Sequence, residues 1–128
     1  MSYPLDGVRI LELGQIIAGT YGSQVLSDLG AEVIKIETPI GDLGRIPSVA
    51  PINGLSGLFL TLNRNKKSIS IDLKTEEGLG IFYSLVETAD VVVDNFRPGV
   101  LKRLKIDYPV LKKLNNKIIQ CSITGYGE

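Results

Sequence analysis

Histidine is absent from the 128 residues, and cysteine occurs once, as Cys121. The first absence removes the commonest side chain for general acid–base work near neutral pH. The second excludes an intrachain disulfide, and the two together exclude a cysteine–histidine zinc cluster. Charge of one sign is not in excess either, since 14 Lys and Arg stand against 14 Asp and Glu. No global field therefore draws the chain to nucleic acid or to an anionic membrane, and any anion site must be local. No apolar run approaches the ~18 residues that span a bilayer. The opening MSYPLDGVRI lacks the basic and apolar regions of a secretion signal. A cytoplasmic protein with neither membrane nor nucleic-acid partners is the expectation. The length suits one ordinary domain and no second full one.

What is present is apolar. Mean hydropathy is +0.18, which points to strands buried on both faces or to a surface made for a partner. Val8 to Leu13 is a short run rich in branched residues, ended by Gly14, and fits a buried strand. From Ala18 the residues Tyr21, Gly22, Val25, Leu26 and Leu29 keep helical spacing, which predicts an amphipathic helix with this stripe on its buried side and Gly30 as its stop. Glu32 to Ile36 returns as a second strand, and so short a crossover implies parallel pairing.

Between Thr38 and Asn63 the residues Pro39, Gly41, Gly44, Pro47, Pro51, Gly54 and Gly57 interrupt every candidate helix, which predicts a long irregular excursion. Ser68 to Leu73 alternates as a strand. Thr75 then caps a helix with Leu79, Phe82, Leu85, Val86 and Ala89 at helical spacing. Val91 to Val93 form the next strand, Val100 to Leu104 a short helix, Asp107 and Pro109 a further helix start, and Ile118 to Ile123 a last strand. The alternation predicts a Rossmann-like, doubly wound α/β domain with a mainly parallel sheet and flanking helices.

In such sheets ligands sit beyond the carboxyl ends of the strands. The first turn carries Gly14, Gly19 and Gly22, which is not the G-x-G-x-x-G spacing of dinucleotide sites, so these glycines serve either an anion or merely the turn and helix packing. Glu37 stands where a ribose-binding acid is expected. NRNKKS, Asn63 to Ser68, is either a solvated turn or a phosphate site built from Arg64, Lys66 and Lys67. NFRPG, Asn95 to Gly99, is either a turn or a site in which Asn95 orients a ligand and Arg97 supplies charge. Cys121 reads as a small buried core residue.

Taken in order, PLDGVRILEL, AEVIKIE, the Gly41–Asp42 pair with a following arginine, NRNKKSISIDLK, ADVVVDNFRPGV and SITGYGE resemble the N-terminal part of the class III coenzyme A transferases. That family also holds carnitine-CoA transferases, bile-acid-inducible proteins and α-methylacyl-CoA racemases, and the resemblance covers the whole chain. It implies that residues 1–128 form a Rossmann-like domain that binds coenzyme A rather than NAD. Coenzyme A keeps a pyrophosphate, so a helix-entry turn retains its use without the dinucleotide glycine spacing.

By the same resemblance, Ile16, Ile17 and Ala18 line the CoA thiol arm, and Asp72, Leu73 and Lys74 lie near the adenine. Asn95, Phe96, Arg97 and Arg103 approach the ribose and phosphates, and Thr124, Gly125 and Tyr126 border the thioester. Lys67 stands where the family often has arginine, which loses bidentate geometry at any phosphate there. Thr38 replaces a cation that some members carry. The family's catalytic aspartate follows the GYG motif, so it is expected beyond Glu128, and no catalytic residue is expected within this chain. The resemblance further implies acyl-CoA and carboxylic acid substrates, no metal, and an interlocked homodimer. The chain is expected to be a fragment of such an enzyme or the product of a shortened gene, inactive alone. A 2-methylacyl-CoA racemase is the alternative activity, and a non-catalytic CoA-binding or structural module is the alternative role.

Overall fold

The computed structural model describes residues 2–46 and 51–127. Five strands run in chain order as β1 (Arg9–Glu12), β2 (Glu32–Glu37), β3 (Lys67–Ser70), β4 (Val91–Asp94) and β5 (Ile119–Ser122). They form one sheet of order β3-β2-β1-β4-β5 in which every pairing is parallel. The helices are α1 (Ala18–Asp28), α2 (Gly57–Leu62), α3 (Glu76–Val86), α4 (Val100–Arg103) and α5 (Tyr108–Leu114). The doubly wound α/β architecture is therefore as expected. No helix among the described residues is long and apolar enough to cross a membrane.

The order places the switch point at β1. The chain winds outward from β1 through β2 to β3, then returns to the other side of β1 as β4 and moves on to β5. With right-handed crossovers, that reversal puts α3, α4 and α5 on the sheet face opposite α1. Leu11, Leu13, Ile36 and Val92 accordingly pack with Phe82, Val86, Leu101, Ile106 and Leu111 in the larger core. Ile10, Val33 and Val93 form the smaller core on the other face, with Leu26 of α1 beside them. Burying Phe82 and Val86 completely contributes roughly 1.5–3 kcal/mol for each side chain before entropy is counted. Local signals agree with the ends of these elements. The Thr75 hydroxyl accepts from the Gly78 amide, and Gly30 takes a φ of 101° just past α1.

Three expectations fail. The first concerns α1, most of whose predicted apolar stripe faces outward, Leu26 excepted. Tyr21, Val25 and Leu29 are exposed, while Gly19, Thr20, Ser23, Gln24 and Ser27 are buried. The cause lies beneath the helix, where the sheet carries the buried charges Glu12 and Lys35, and hydroxyls satisfy them where leucines cannot. The second concerns the excursion from Thr38 to Asn63. It contains a 3-10 turn at Leu43–Arg45 and the helix α2, capped by the Ser56 hydroxyl accepting from the Phe59 amide. Pro47 lies outside the described residues. The third is Cys121, which is exposed, because β5 is an edge strand and Cys121 shares its outward face with the exposed Ile119.

Candidate functional site

The crevice at the switch point is built from the turns that follow β1 and β4. Gly14 and Gly19 bring the end of β1 against the first turn of α1. A Cβ on Gly14 would lie 2.9 Å from backbone atoms of Gly19 and Thr20, and one on Gly19 would lie 3.0 Å from the Gly14 Cα. Gly22 faces open space instead, so two of the three glycines are demanded by close approach. Between them, Ile16 adopts a φ of 63°. For a β-branched residue this is a strained conformation, costing on the order of 1–3 kcal/mol. Ile16 and Ile17 are nonetheless exposed.

Two side chains grip this turn. The Asn95 carboxamide accepts from the Gln15 amide at 2.8 Å and donates to the Gln15 carbonyl at 3.0 Å. The Asp42 carboxylate accepts from the Ile16 amide at 3.1 Å. Asn95, expected to orient a ligand, orients this turn with its carboxamide. Asp94, buried at the end of β4, accepts from the Phe96 amide at 3.1 Å and the Ser122 hydroxyl at 2.6 Å, and so ties the second turn to β5.

Beneath the turn lies a charge cluster that no motif announced. Glu12 receives Lys35 Nζ on one oxygen and Lys66 Nζ on the other, each at 2.7 Å. Thr20 and Ser23 donate to the same carboxylate. Lys35 also donates to the Gly14 carbonyl at 2.9 Å and lies 2.6 Å from Asp42. Two carboxylates and two ammonium groups thus balance in the interior. Burial lowers the Lys66 pKa, against the opposing pull of Glu12. The available signal was a charge inside a strand that otherwise reads as buried, Glu12 in VRILEL and Lys35 in VIKIE.

Glu37 is occupied in a different way from the ribose-binding role expected of its position. It accepts from Arg45 Nε at 2.7 Å, a terminal Arg45 nitrogen at 2.6 Å, the Ser68 hydroxyl at 2.6 Å and the Asp42 amide at 2.9 Å. Four donors fill the carboxylate's acceptor sites. Burial alone raises its pKa, but the bonds from Arg45, Ser68 and the Asp42 amide outweigh it and bring the value down to about 2. Arg45 in turn lies 4.0 Å over the Phe59 ring, fastening the loop to α2.

Above the carboxyl ends of β1, β2 and β3 opens a cavity of about 580 Å³. Among the residues expected at a site, Asp72, Leu73, Lys74, Phe96 and Arg103 line it, as do Gln15 of the gripped turn and Thr38. Ile16, Ile17 and Ala18 follow Gln15 directly, and Arg97 is exposed just after Phe96. Thr124 lines a separate groove of about 810 Å³ along β5, with Gly125 and the fully exposed Tyr126 beyond it. Lys67 is not brought to the cavity. It begins β3, at the amino end of the strand whose carboxyl end borders the cavity, and with Arg9 holds Glu32 below the usual carboxylate range. The cations of NRNKKS are dispersed rather than clustered, with Arg64 on Asp28, Lys66 on Glu12 and Lys67 on Glu32.

The family described as CoA-transferase family III matches residues 5–128. The succinate–glutarate CoA-transferase of Agrobacterium fabrum is 46% identical, over 98% of this chain and 33% of its own. The succinyl-CoA:glutarate CoA-transferase of Mus musculus is 45% identical, over 98% of this chain and 29% of its own. In structure, a CAIB/BAIF family protein from Brucella suis superposes with a TM-score of 0.92 at 44% identity, over 99% of this chain and 35% of that one. Rv3272 from Mycobacterium tuberculosis superposes with a TM-score of 0.91 at 42% identity, over 98% of this chain and 36% of that one. The chain thus spans about a third of the length of the curated relatives it matches.

Proposed function

The chain belongs to CoA-transferase family III, and we propose that it supplies the coenzyme A-binding domain of an enzyme that moves CoA between carboxylic acids. The observation that carries this reading is the gathering of Asp72, Leu73, Lys74, Phe96 and Arg103 around one cavity, beside a turn that exposes Ile16 and Ile17. Adenine fits the mixed wall formed by Asp72 to Lys74. The thiol arm runs along the exposed isoleucines and Ala18, and its thioester end points toward Thr124, Gly125 and Tyr126. Arg103 and Arg97, both exposed, are suited to the phosphates through charge-assisted hydrogen bonds. Lys67, at the amino end of β3, is given no part in this site.

In this reading the chain binds and orients CoA, and the aspartate that forms the acyl anhydride and then the CoA thioester comes from protein outside these residues. The relatives named above are described as transferases of succinate, succinyl-CoA and glutarate, which favours dicarboxylic acyl groups and transfer over racemisation. The exposed Tyr21, Val25 and Leu29 of α1 are suited to burial against further protein, and a homodimer is the proposed state. A cytoplasmic location remains part of the proposal.

The test is calorimetric titration of CoA into this chain, with Arg97→Ala and Arg103→Ala as variants. Binding by the parent, weakened and made less salt-dependent in each variant, is the expected result. No binding by the parent overturns the CoA reading, and full affinity in both variants overturns the phosphate assignment.

A further inference from the structure

The Gly41–Asp42 pair and its following arginine belong to the site's motifs, yet none of them lines the cavity described above. Asp42 is 4% exposed and cannot itself meet a ligand. Its two oxygens are spent inward, one accepting from the Ile16 amide at 3.1 Å and the Gly44 amide at 2.6 Å, the other lying 2.6 Å from Lys35 Nζ. Its own amide donates to Glu37 at 2.9 Å, and Arg45 grips the same Glu37. Gly44 must be small, because a Cβ there would lie 3.1 Å from the Asp42 carboxylate and 3.5 Å from the Ile16 Cα.

The residue held this way is the strained one. Positive φ among the described non-glycine residues occurs at Ile16, Asn53, Asn65 and Lys105, and only Ile16 of these is β-branched. Left alone, an isoleucine relaxes out of the left-handed region. Asn95 clasps the preceding peptide group from β4, and Asp42 clasps the Ile16 amide from the loop after β2. We propose that Asp42 is a positioning residue for coenzyme A binding: it holds Ile16 in the left-handed conformation of the turn that exposes Ile16 and Ile17 and whose Gln15 lines the cavity, and Lys35 and Glu37 hold Asp42. This rests on the CoA reading above and adds the device that keeps the site preformed.

The test is a double-mutant cycle between Asp42→Ala and Ile16→Gly, since glycine occupies the left-handed region without strain. Two readouts are taken, the exchange rate of the residue 16 amide and the affinity for CoA. Asp42→Ala is expected to speed the amide's exchange and to weaken CoA binding by about tenfold, and in the Ile16→Gly background the same change is expected to cost under about threefold. Asp42→Asn keeps an acceptor for the amide but turns its NH2 toward Lys35, so it is read together with Lys35→Met, and that pair is expected to retain both readouts within about threefold. If Asp42→Ala alone does not fold, Lys35→Met/Asp42→Ala removes both charges and leaves Glu12 with Lys66. It is read in the same cycle, with the same expected loss.

Unchanged exchange of the residue 16 amide on loss of the Asp42 carboxylate overturns the proposal, and so does an equal loss of CoA affinity in both backgrounds. A parent chain that shows the exchange effect but takes up no CoA overturns the CoA reading, and with it the part of the proposal that concerns the ligand.

Discussion

Lys35 Nζ lies 2.7 Å from the Glu12 carboxylate, and neither side chain reaches solvent. Glu12 also balances Lys66, so its removal would leave two buried ammonium groups facing one remaining carboxylate, Asp42. Glu12→Ala is expected to destabilise the chain by about 3–5 kcal/mol. Glu12→Gln, which keeps acceptors for Thr20 and Ser23, should cost less. Urea unfolding followed by circular dichroism checks both, and a loss below about 1 kcal/mol for Glu12→Ala would mean that water reaches the cluster.

Glu37 makes stability depend on acid. Its folded pKa of about 2 lies below the ordinary value of 4.5 for a glutamate carboxyl, so the stabilisation it carries is complete above about pH 4.5 and is lost as pH falls toward 2. The difference corresponds to on the order of 3 kcal/mol. Arg45→Met is expected to lower stability at pH 7 and to flatten its fall between pH 5 and about 2. Denaturant titrations across that range measure it, and parallel curves for parent and variant would remove Arg45 as the cause.

The two glycine environments in α1 and its approach predict opposite signs. Gly14→Ala drives a Cβ to 2.9 Å from backbone atoms of Gly19 and Thr20, and is expected to lower stability by about 1–3 kcal/mol. Gly22→Ala meets nothing within 4 Å and sits inside the helix, so it is expected to raise stability by up to about 1 kcal/mol. Thermal melts of the two variants provide the comparison.

The outward apolar stripe of α1 predicts self-association of the isolated chain. Tyr21, Val25 and Leu29 are 59%, 42% and 41% exposed, a patch that neighbouring protein normally covers in such an arrangement. Sedimentation at tens of micromolar is expected to show a dimer or larger species, shifted toward monomer by Tyr21→Lys/Val25→Lys. The same preparation is expected to show no CoA transfer between carboxylic acids.

Much of the strand and helix order was legible because branched runs such as Val91–Val93 and stripes such as Phe82–Val86–Ala89 bury the residues that their period selects. In the site, the exposed Ile16 and Ile17 and the cavity-lining Asp72 to Lys74 lie in stretches that ordered motifs had singled out. Lys67 and Asn95 have protein partners that spacing along the chain does not announce, for a common reason. Whether a cation or carboxamide faces a ligand depends on which end of a strand it occupies and which backbone it can reach, and neither is a property of spacing along the chain.

Alternation of period, turn glycines and caps are local, so the sequence by itself determined the alternation of strands with helices and with it a doubly wound, mainly parallel sheet, while the strand order that sets the switch point came from pairing in the fold. The face that α1 buries was decided only by tertiary structure. Tyr21, Val25 and Leu29 form the better apolar stripe, but Glu12 and Lys35 project from the sheet beneath α1 and require hydroxyl partners, and the contact of Gly14 with Gly19 turns the small, polar side inward. Likewise, Asp42 is an ordinary loop aspartate until the fold brings it from 26 residues away to the Ile16 amide. Strain at one residue and the acceptor that holds it meet only when β1 and β2 pair, because pairing is what closes that distance.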